Sequence, residues 1–194
     1  MTLKPQDIVV LLKLVVVKNS DWSFASLAAD LFMSPSEVHA GIKRASVAQL
    51  FDESRKKPVR KNLEEFLVHG VKYAYPPQHG PLTRGIPTGY AAYPLNEMLV
   101  LGANDVPPVW PHPEGEVRGY EFSPLYKSVP SAAIKDKELY ALLSIIDAIR
   151  DGRARERELA NRELIKRLGK PAFFLPGSAG ADMGSFFCPV QYSN

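Results

Sequence analysis

The chain has 194 residues, of which 45% are hydrophobic and 23% are charged. These proportions are typical of a soluble globular protein with one ordinary domain, or with a small domain and an accessory region. The net charge of +3 is too small for the whole-molecule field to indicate nucleic-acid binding, and the single cysteine, Cys188, excludes an internal disulfide and a cysteine-based zinc site within one chain.

No segment is typical of a membrane span or a signal peptide. The most apolar run, residues 8–17, contains Lys13 and is much shorter than the roughly 20 residues that a spanning helix needs. It also lacks a small-residue cleavage site, so we expect a soluble cytoplasmic protein without a membrane partner. Eleven of the 17 prolines lie in one segment, which divides the chain into a regular front (1–75), an irregular middle (76–130), a helical back (131–169) and a tail (170–194).

The first predicted element is a helix of about three turns. Pro5 suits its first turn because the missing N–H is not needed there, and Asp7 suits the positive end of the helix dipole. The β-branched residues leave a strand open as the alternative, but the spacing of the apolar side chains favours the helix. They form the stripe Ile8, Leu11, Leu12, Val15 and Val16.

Residues 23–50 predict two short helices joined by a tight turn. Ser23 is a suitable N-cap for the first helix, and Ser34, Pro35 and Glu37 form a strong start signal for the second. Such a pair makes a helix-turn-helix, whose second helix enters the major groove of DNA, unless it is a helical hairpin of another α-rich fold. On the second helix Val38, Ile42 and Ala45 would face inward, and Ser36, His39, Ala40, Lys43 and Arg44 would face outward.

The segment LAADLFMSPSEVHAGIKRA resembles the helix-turn-helix of bacterial winged-helix regulators of the broad MarR-like class. Phe32 departs from their pattern because it stands where the turn usually has glycine, and a left-handed backbone would strain it by roughly 1 kcal/mol. The turn is therefore built differently, or Phe32 packs inward. The resemblance implies that the second helix begins at Pro35 and that the residues nearest the bases are Ser36, Glu37, His39, Ala40 and Lys43.

Five of the seven residues 55–61 are basic, and they lie where a winged helix places its β-hairpin. On such a wing they would contact DNA phosphates, although a charge run by itself is usually a solvated loop. The hairpin lacks an Asn-Gly or Asp-Gly turn, and Asn62 would cap a following helix over residues 63–71. The predicted DNA-binding residues are Ser34, Ser36, Glu37, His39, Lys43, Arg44, Arg55, Lys56, Lys57, Arg60 and Lys61.

The proline-rich middle argues against long helices and central strands. Disorder is one interpretation, but its aromatic residues favour an extended arm that is pinned onto a core, for which a partner subunit is one candidate. The segment LTRGIPT (82–88) is similar to one that follows a helix-turn-helix in bacterial chains of unassigned function. It is either a structural turn or a site for a phosphate or another ligand, and the candidate ligand or partner contacts of the arm are Thr83, Arg84 and Trp110.

The sequence of the helical back (131–169) predicts a hairpin of two helices. Asp136 would cap its first helix, residues 151–152 would end it, and a charged second helix would cover residues 153–168 with i, i+4 ion pairs. The arginines of that second helix indicate either a solvated face or DNA contact. Because operators are usually palindromic, a dimer is expected, and this hairpin together with the first helix is the candidate interface. The tail is either mobile or docked by its phenylalanines.

These features predict a mainly α fold with an N-terminal winged helix-turn-helix, a proline-rich extended arm and a C-terminal helical hairpin. The predicted function is a dimeric regulator that binds double-stranded DNA and represses transcription. The alternative is an antitoxin-like protein whose arm neutralises a partner such as a toxin, and which autoregulates its operon. A third reading is an enzyme with a site at Arg84, but the chain lacks the GxxxxGK[ST], GxGxxG, GxSxG and HExxH motifs. We expect no catalytic residue, metal ion or cofactor.

Overall fold

The computed structural model describes residues 2–17, 22–99, 102 and 105–169, so the predicted tail and Cys188 lie outside the described residues. The front begins with three helices and a short antiparallel hairpin. The predicted first helix and both helices of the helix-turn-helix are present. The elements are α1 (Pro5–Val16), α2 (Phe24–Leu31), α3 (Pro35–Val47), β1 (Phe51–Asp52) and β2 (Lys57–Pro58).

The next helix begins earlier than the sequence indicates. It comprises α4 (Arg60–Glu65), a π-helical turn (Phe66–Gly70) and α5 (Val71–Ala74), which follow one another without a break. The predicted cap at Asn62 is wrong, because this residue lies inside α4 and its side-chain amide donates to the Gln49 carbonyl at 2.8 Å. That bond connects α4 to the end of α3.

The prediction of a mainly α fold is wrong, because the middle of the chain forms a sheet and the structure is α/β. Strands β3 (His79–Pro87), β4 (Pro108–Pro111) and β5 (Val117–Phe122) each pair with the other two, so the sheet closes on itself. Strand β3 is antiparallel to both neighbours, and β4 runs parallel to β5. The predicted extended arm is therefore folded onto the chain's own helices.

The prolines of this sheet lie where a missing N–H does no harm. Pro81 falls in the irregularity of β3 between its pairings at His79 and Leu82, and the other strand prolines lie at strand ends. Glycines make the closure possible: a Cβ on Gly85 would lie 2.1 Å from the Trp110 carbonyl oxygen. A side chain at this position would push β3 and β4 apart.

The back contains α6 (Val129–Lys135), α7 (Lys137–Asp151) and α8 (Ala154–Gly169). The predicted hairpin is present, with Asp136 accepting from two backbone N–H groups at the start of α7. Helix α7 packs against α1, α5, α6 and α8, so every residue from Ala141 to Arg150 is buried. The apolar stripe that we expected at a dimer interface is thus covered within one chain. No helix of the described ranges is long and apolar enough to cross a membrane.

A buried polar cluster connects the sheet to α7. The Asp147 carboxylate accepts from the Thr88 hydroxyl at 2.8 Å, from the Trp110 indole at 2.7 Å and from Arg150 at 2.6 Å. Arg150 also donates to the carbonyl oxygens of Tyr75 and Ser123. Complete burial raises the pKa of Asp147, while the Arg150 guanidinium acts in the opposite direction. This cluster joins α5, the sheet and α7.

We expect Gly85→Ala to lower the free energy of unfolding by about 1–3 kcal/mol, because the added Cβ overlaps the Trp110 carbonyl. The measurement is urea denaturation followed by circular dichroism. Gly169→Ala is the matched control, since its Cβ would meet no atom within 4 Å. A Gly85→Ala variant as stable as that control would contradict the close contact between β3 and β4.

Candidate nucleic-acid interface

The turn between α2 and α3 joins the two helices of the predicted helix-turn-helix and begins with an unusual residue. Phe32 adopts the left-handed conformation, with φ 52° and ψ 43°. Both expected alternatives are wrong. The turn is not built differently, because Phe32 keeps the backbone conformation that glycine usually adopts there, and Phe32 does not pack inward, because its side chain is 46% exposed. The ammonium of Lys135 lies 4.2 Å from the centroid of its ring. A cation–π contact from α6 therefore covers part of the strained residue.

Helix α3 presents a polar outer face. Its N-terminus carries the predicted capping box, in which Ser34 and Glu37 bond each other's backbone N–H. Its inner residues Val38, Ile42 and Ala45 are buried, as predicted. The exposed residues of its outer face are Ser36, His39 and Lys43, and Ala40 between them is half-buried.

Arg44 does not belong to this face, and the expectation that it points outward is wrong. Its guanidinium donates from Nε and Nη2 to the two carboxylate oxygens of Asp7, at 2.8 and 2.6 Å. The Asp7 side chain is fully buried and also accepts from the Lys4 N–H. Gly41 leaves room for the pair, because a Cβ there would lie 3.0 Å from Asp7 Oδ1. Arg44 thus connects α3 to α1 and is not available to DNA.

Both carboxylate oxygens of Glu37 are already occupied. Oε2 accepts from the backbone N–H and the hydroxyl of Ser34, and Oε1 accepts from the Tyr126 hydroxyl at 2.5 Å. The hydrogen bonds from Tyr126 and Ser34 lower the pKa of Glu37 to about 2. Glu37 is therefore an ionised cap of α3 and a poor candidate for reading a base edge.

The hairpin after α3 carries exposed basic side chains, although its strands are short. Its turn is organised by Asp52, whose Oδ1 accepts from the N–H groups of Ser54 and Arg55. The Trp22 indole donates to the Lys56 carbonyl at 3.2 Å and thereby holds the hairpin against the start of α2. The exposed basic residues of this region are Arg55, Lys56, Lys57 and Lys61.

Arg60, another predicted DNA-binding residue, points away from this set. Its side chain is half-buried, and Nη1 donates to the Leu168 carbonyl at 2.8 Å, near the end of α8. It thus links α4 to α8.

The structure does not bring the three candidate contacts of the middle segment together. Trp110 is fully buried, and its indole is bonded to Asp147. Arg84 is exposed on β3 and donates to the Gly115 carbonyl, whereas Thr83 is half-buried and pairs with Gly119. Within the LTRGIPT segment, the buried Thr88 hydroxyl also bonds Asp147.

Sequence reasoning missed two residues near the end of the middle segment that contact α2 and α3. Tyr126 bonds Glu37, and the buried Ser128 hydroxyl donates to the Leu31 carbonyl at 2.6 Å. No local sequence pattern relates Tyr126 to a glutamate 89 positions earlier, so the sequence carries no signal for this contact.

Comparisons with known proteins give no match: no family model matches the chain, and none of the curated proteins or solved structures compared with it does so. The resemblance to MarR-like regulators therefore stays a prediction, and function has to be argued from the site itself. Among the described residues, no group of three or more His, Cys, Asp or Glu side chains is arranged to hold a metal ion.

Arg44→Ala should lower the free energy of unfolding by about 3–5 kcal/mol, because it leaves the buried Asp7 carboxylate without its partner. Lys43→Ala is the matched control: it removes a neighbouring, exposed cation of the same helix and should change stability by less than about 0.5 kcal/mol. Urea denaturation measures both. Equal stability of the two variants would show that the Asp7–Arg44 pair does not hold α1 and α3 together.

Tyr126→Phe should raise the pKa of Glu37 from about 2 towards its ordinary value, because its largest stabilising hydrogen bond is lost. Because the pKa of Glu37 is lowered in the folded state, this hydrogen bond stabilises the fold at pH values above the ordinary pKa of Glu37. The stabilisation is lost as the pH falls through about 2. The measurement is an NMR titration of the Glu37 carboxyl carbon. Tyr73→Phe, at a residue that is 76% exposed, is the control and should leave the titration unchanged. An unshifted Glu37 in Tyr126→Phe would refute the bond.

Proposed function

We propose that the chain binds double-stranded DNA, with the outer face of α3 in the major groove and the β1–β2 hairpin on the adjacent phosphates. The observation that carries this proposal is the exposed row Ser36, His39 and Lys43 on a capped second helix, followed directly by a hairpin with exposed basic residues. The row lies on one face because its members are three and four positions apart.

The dimensions and chemistry of α3 suit a major groove. A groove about 12 Å wide and 8.5 Å deep admits one α-helix, and α3 has 13 residues, or roughly 20 Å of length. Ser36 and His39 can exchange hydrogen bonds with base edges, and Lys43 can donate to a guanine or a phosphate. Arg44 and Glu37 are not part of this surface, since both are bonded within the chain.

Local charge supports phosphate contact. Among the described residues, no carboxylate forms an ion pair with Lys43, Lys56, Lys57 or Lys61. Arg55 differs, because its Nε lies 3.7 Å from Asp52 Oδ2. Unpaired surface cations release counterions from DNA when they bind phosphates. Binding should therefore weaken steeply as the salt concentration rises, even though the net charge of the chain is only +3.

We propose that this DNA binding represses transcription in the cytoplasm, because RNA polymerase cannot use an operator that the protein occupies. A dimer would suit a palindromic operator, but its interface would use a surface other than the buried stripe of α7. The antitoxin alternative stays a prediction, and two aromatic residues of its expected arm, Trp110 and Phe122, are buried in this chain.

The test is fluorescence anisotropy of a labelled random-sequence duplex at several salt concentrations. We expect Lys43→Ala/Lys57→Ala to weaken binding and to reduce the slope of log K against log salt by about 0.9 for each lost phosphate contact. The matched control, Arg153→Ala/Arg155→Ala, removes the same charge from exposed residues at the start of α8, which packs on α4 and α7. A wild type that does not bind at low salt, or equal slopes for both variants, would overturn the proposal.

A further inference from the structure

The segment between β5 and the end of α6 lies directly against the helix-turn-helix. Ser128 donates to the Leu31 carbonyl at the end of α2, and Tyr126 donates to Glu37 in the first turn of α3. Helix α6 itself packs against α2. Residues from outside the front of the chain thus border the surface proposed for DNA.

This segment brings two exposed lysines to the turn. The Lys135 ammonium lies 4.2 Å from the centroid of the Phe32 ring, and the Lys127 ammonium lies 5.9 Å from the centroid of the Tyr126 ring. Neither lysine forms an ion pair with a carboxylate in the part of the chain that the structure describes. A ring contact limits where an ammonium can move but leaves its other N–H donors free for an anion.

The two lysines lie at the opposite end of α3 from the hairpin. The hairpin follows the C-terminal end of α3, whereas Phe32 and Glu37 mark its N-terminal end. Helix α3 thus has basic groups near both of its ends. Since α3 is roughly 20 Å long and the major groove is about 12 Å wide, a helix that crosses the groove brings each end close to a phosphate backbone.

The N-terminal end of α3 also carries a negative charge that would repel a DNA phosphate. The backbone N–H of Glu37 is capped by Ser34, and the ionised Glu37 would repel a phosphate. Lys127 lies close enough for its charge to help lower the pKa of Glu37. The Lys127 ammonium therefore offsets part of the charge of the carboxylate where a backbone would pass.

We propose that Lys127 and Lys135 form a second phosphate-contacting group, which binds the DNA backbone at the N-terminal end of α3. This inference rests on the proposed function. It makes the segment after the sheet part of the DNA-binding surface, so that the front of the chain alone would bind more weakly than the full chain.

The test uses the full chain and the same duplex. Lys127→Ala/Lys135→Ala should reduce the salt slope by about 2, or about 0.9 for each contact, whereas Lys127→Arg/Lys135→Arg should retain it because arginine keeps the charge. Arg153→Ala/Arg155→Ala again matches the change in charge, and circular dichroism of each variant confirms its folding.

Three results separate the possible failures. A wild type without duplex binding overturns the proposed function and this inference with it. A slope that is lowered by Lys43→Ala/Lys57→Ala but not by Lys127→Ala/Lys135→Ala overturns this inference alone. An equal loss in the arginine and alanine variants also overturns it, because the contact would then not depend on charge.

Discussion

The carboxylate of Asp147 and the guanidinium of Arg150 are buried one helical turn apart on α7, and the rest of the fold is arranged around them. Removing such charges from water costs several kcal/mol each, so the folded state has to supply each with partners. Those partners come from the sheet through Thr88 and Trp110, and from the end of α5 through the Tyr75 carbonyl. An arrangement that misplaced the sheet would remove the two hydrogen bonds that Thr88 and Trp110 donate to the buried Asp147 carboxylate.

The same constraint reaches α3, the helix that we propose to enter the DNA groove. Arg150 bonds the Ser123 carbonyl just after β5, and three residues later Tyr126 bonds Glu37 on α3. From the other side, the Asp7–Arg44 pair holds α3 against α1. Helix α3 is thus supported at both ends of its buried side by charged hydrogen bonds. Such support keeps the exposed row in one orientation, which sequence-specific contacts require.

Sequence reasoning placed α2, α3 and α7 well, because caps such as Ser34 and Asp136 are local signals that packing leaves intact here. It missed α6 and began α4 three residues late. It missed the sheet because the prolines argue against central strands, whereas Pro81 falls in an irregularity of β3. It also treated Lys43 and Arg44 alike. Helical periodicity puts both near the boundary of the outer face, and only the buried Asp7, 37 positions earlier, decides between them.

The two tryptophans of the chain occupy very different surroundings. Trp110 is sealed in the interior, so its emission is expected at short wavelength and should be insensitive to soluble quenchers. Trp22 is half-buried and bonded to the turn of the basic hairpin. Trp22 is therefore an intrinsic fluorescence probe of the hairpin. Quenching of its emission at long wavelengths would report movements of the hairpin separately from those of the core around Trp110.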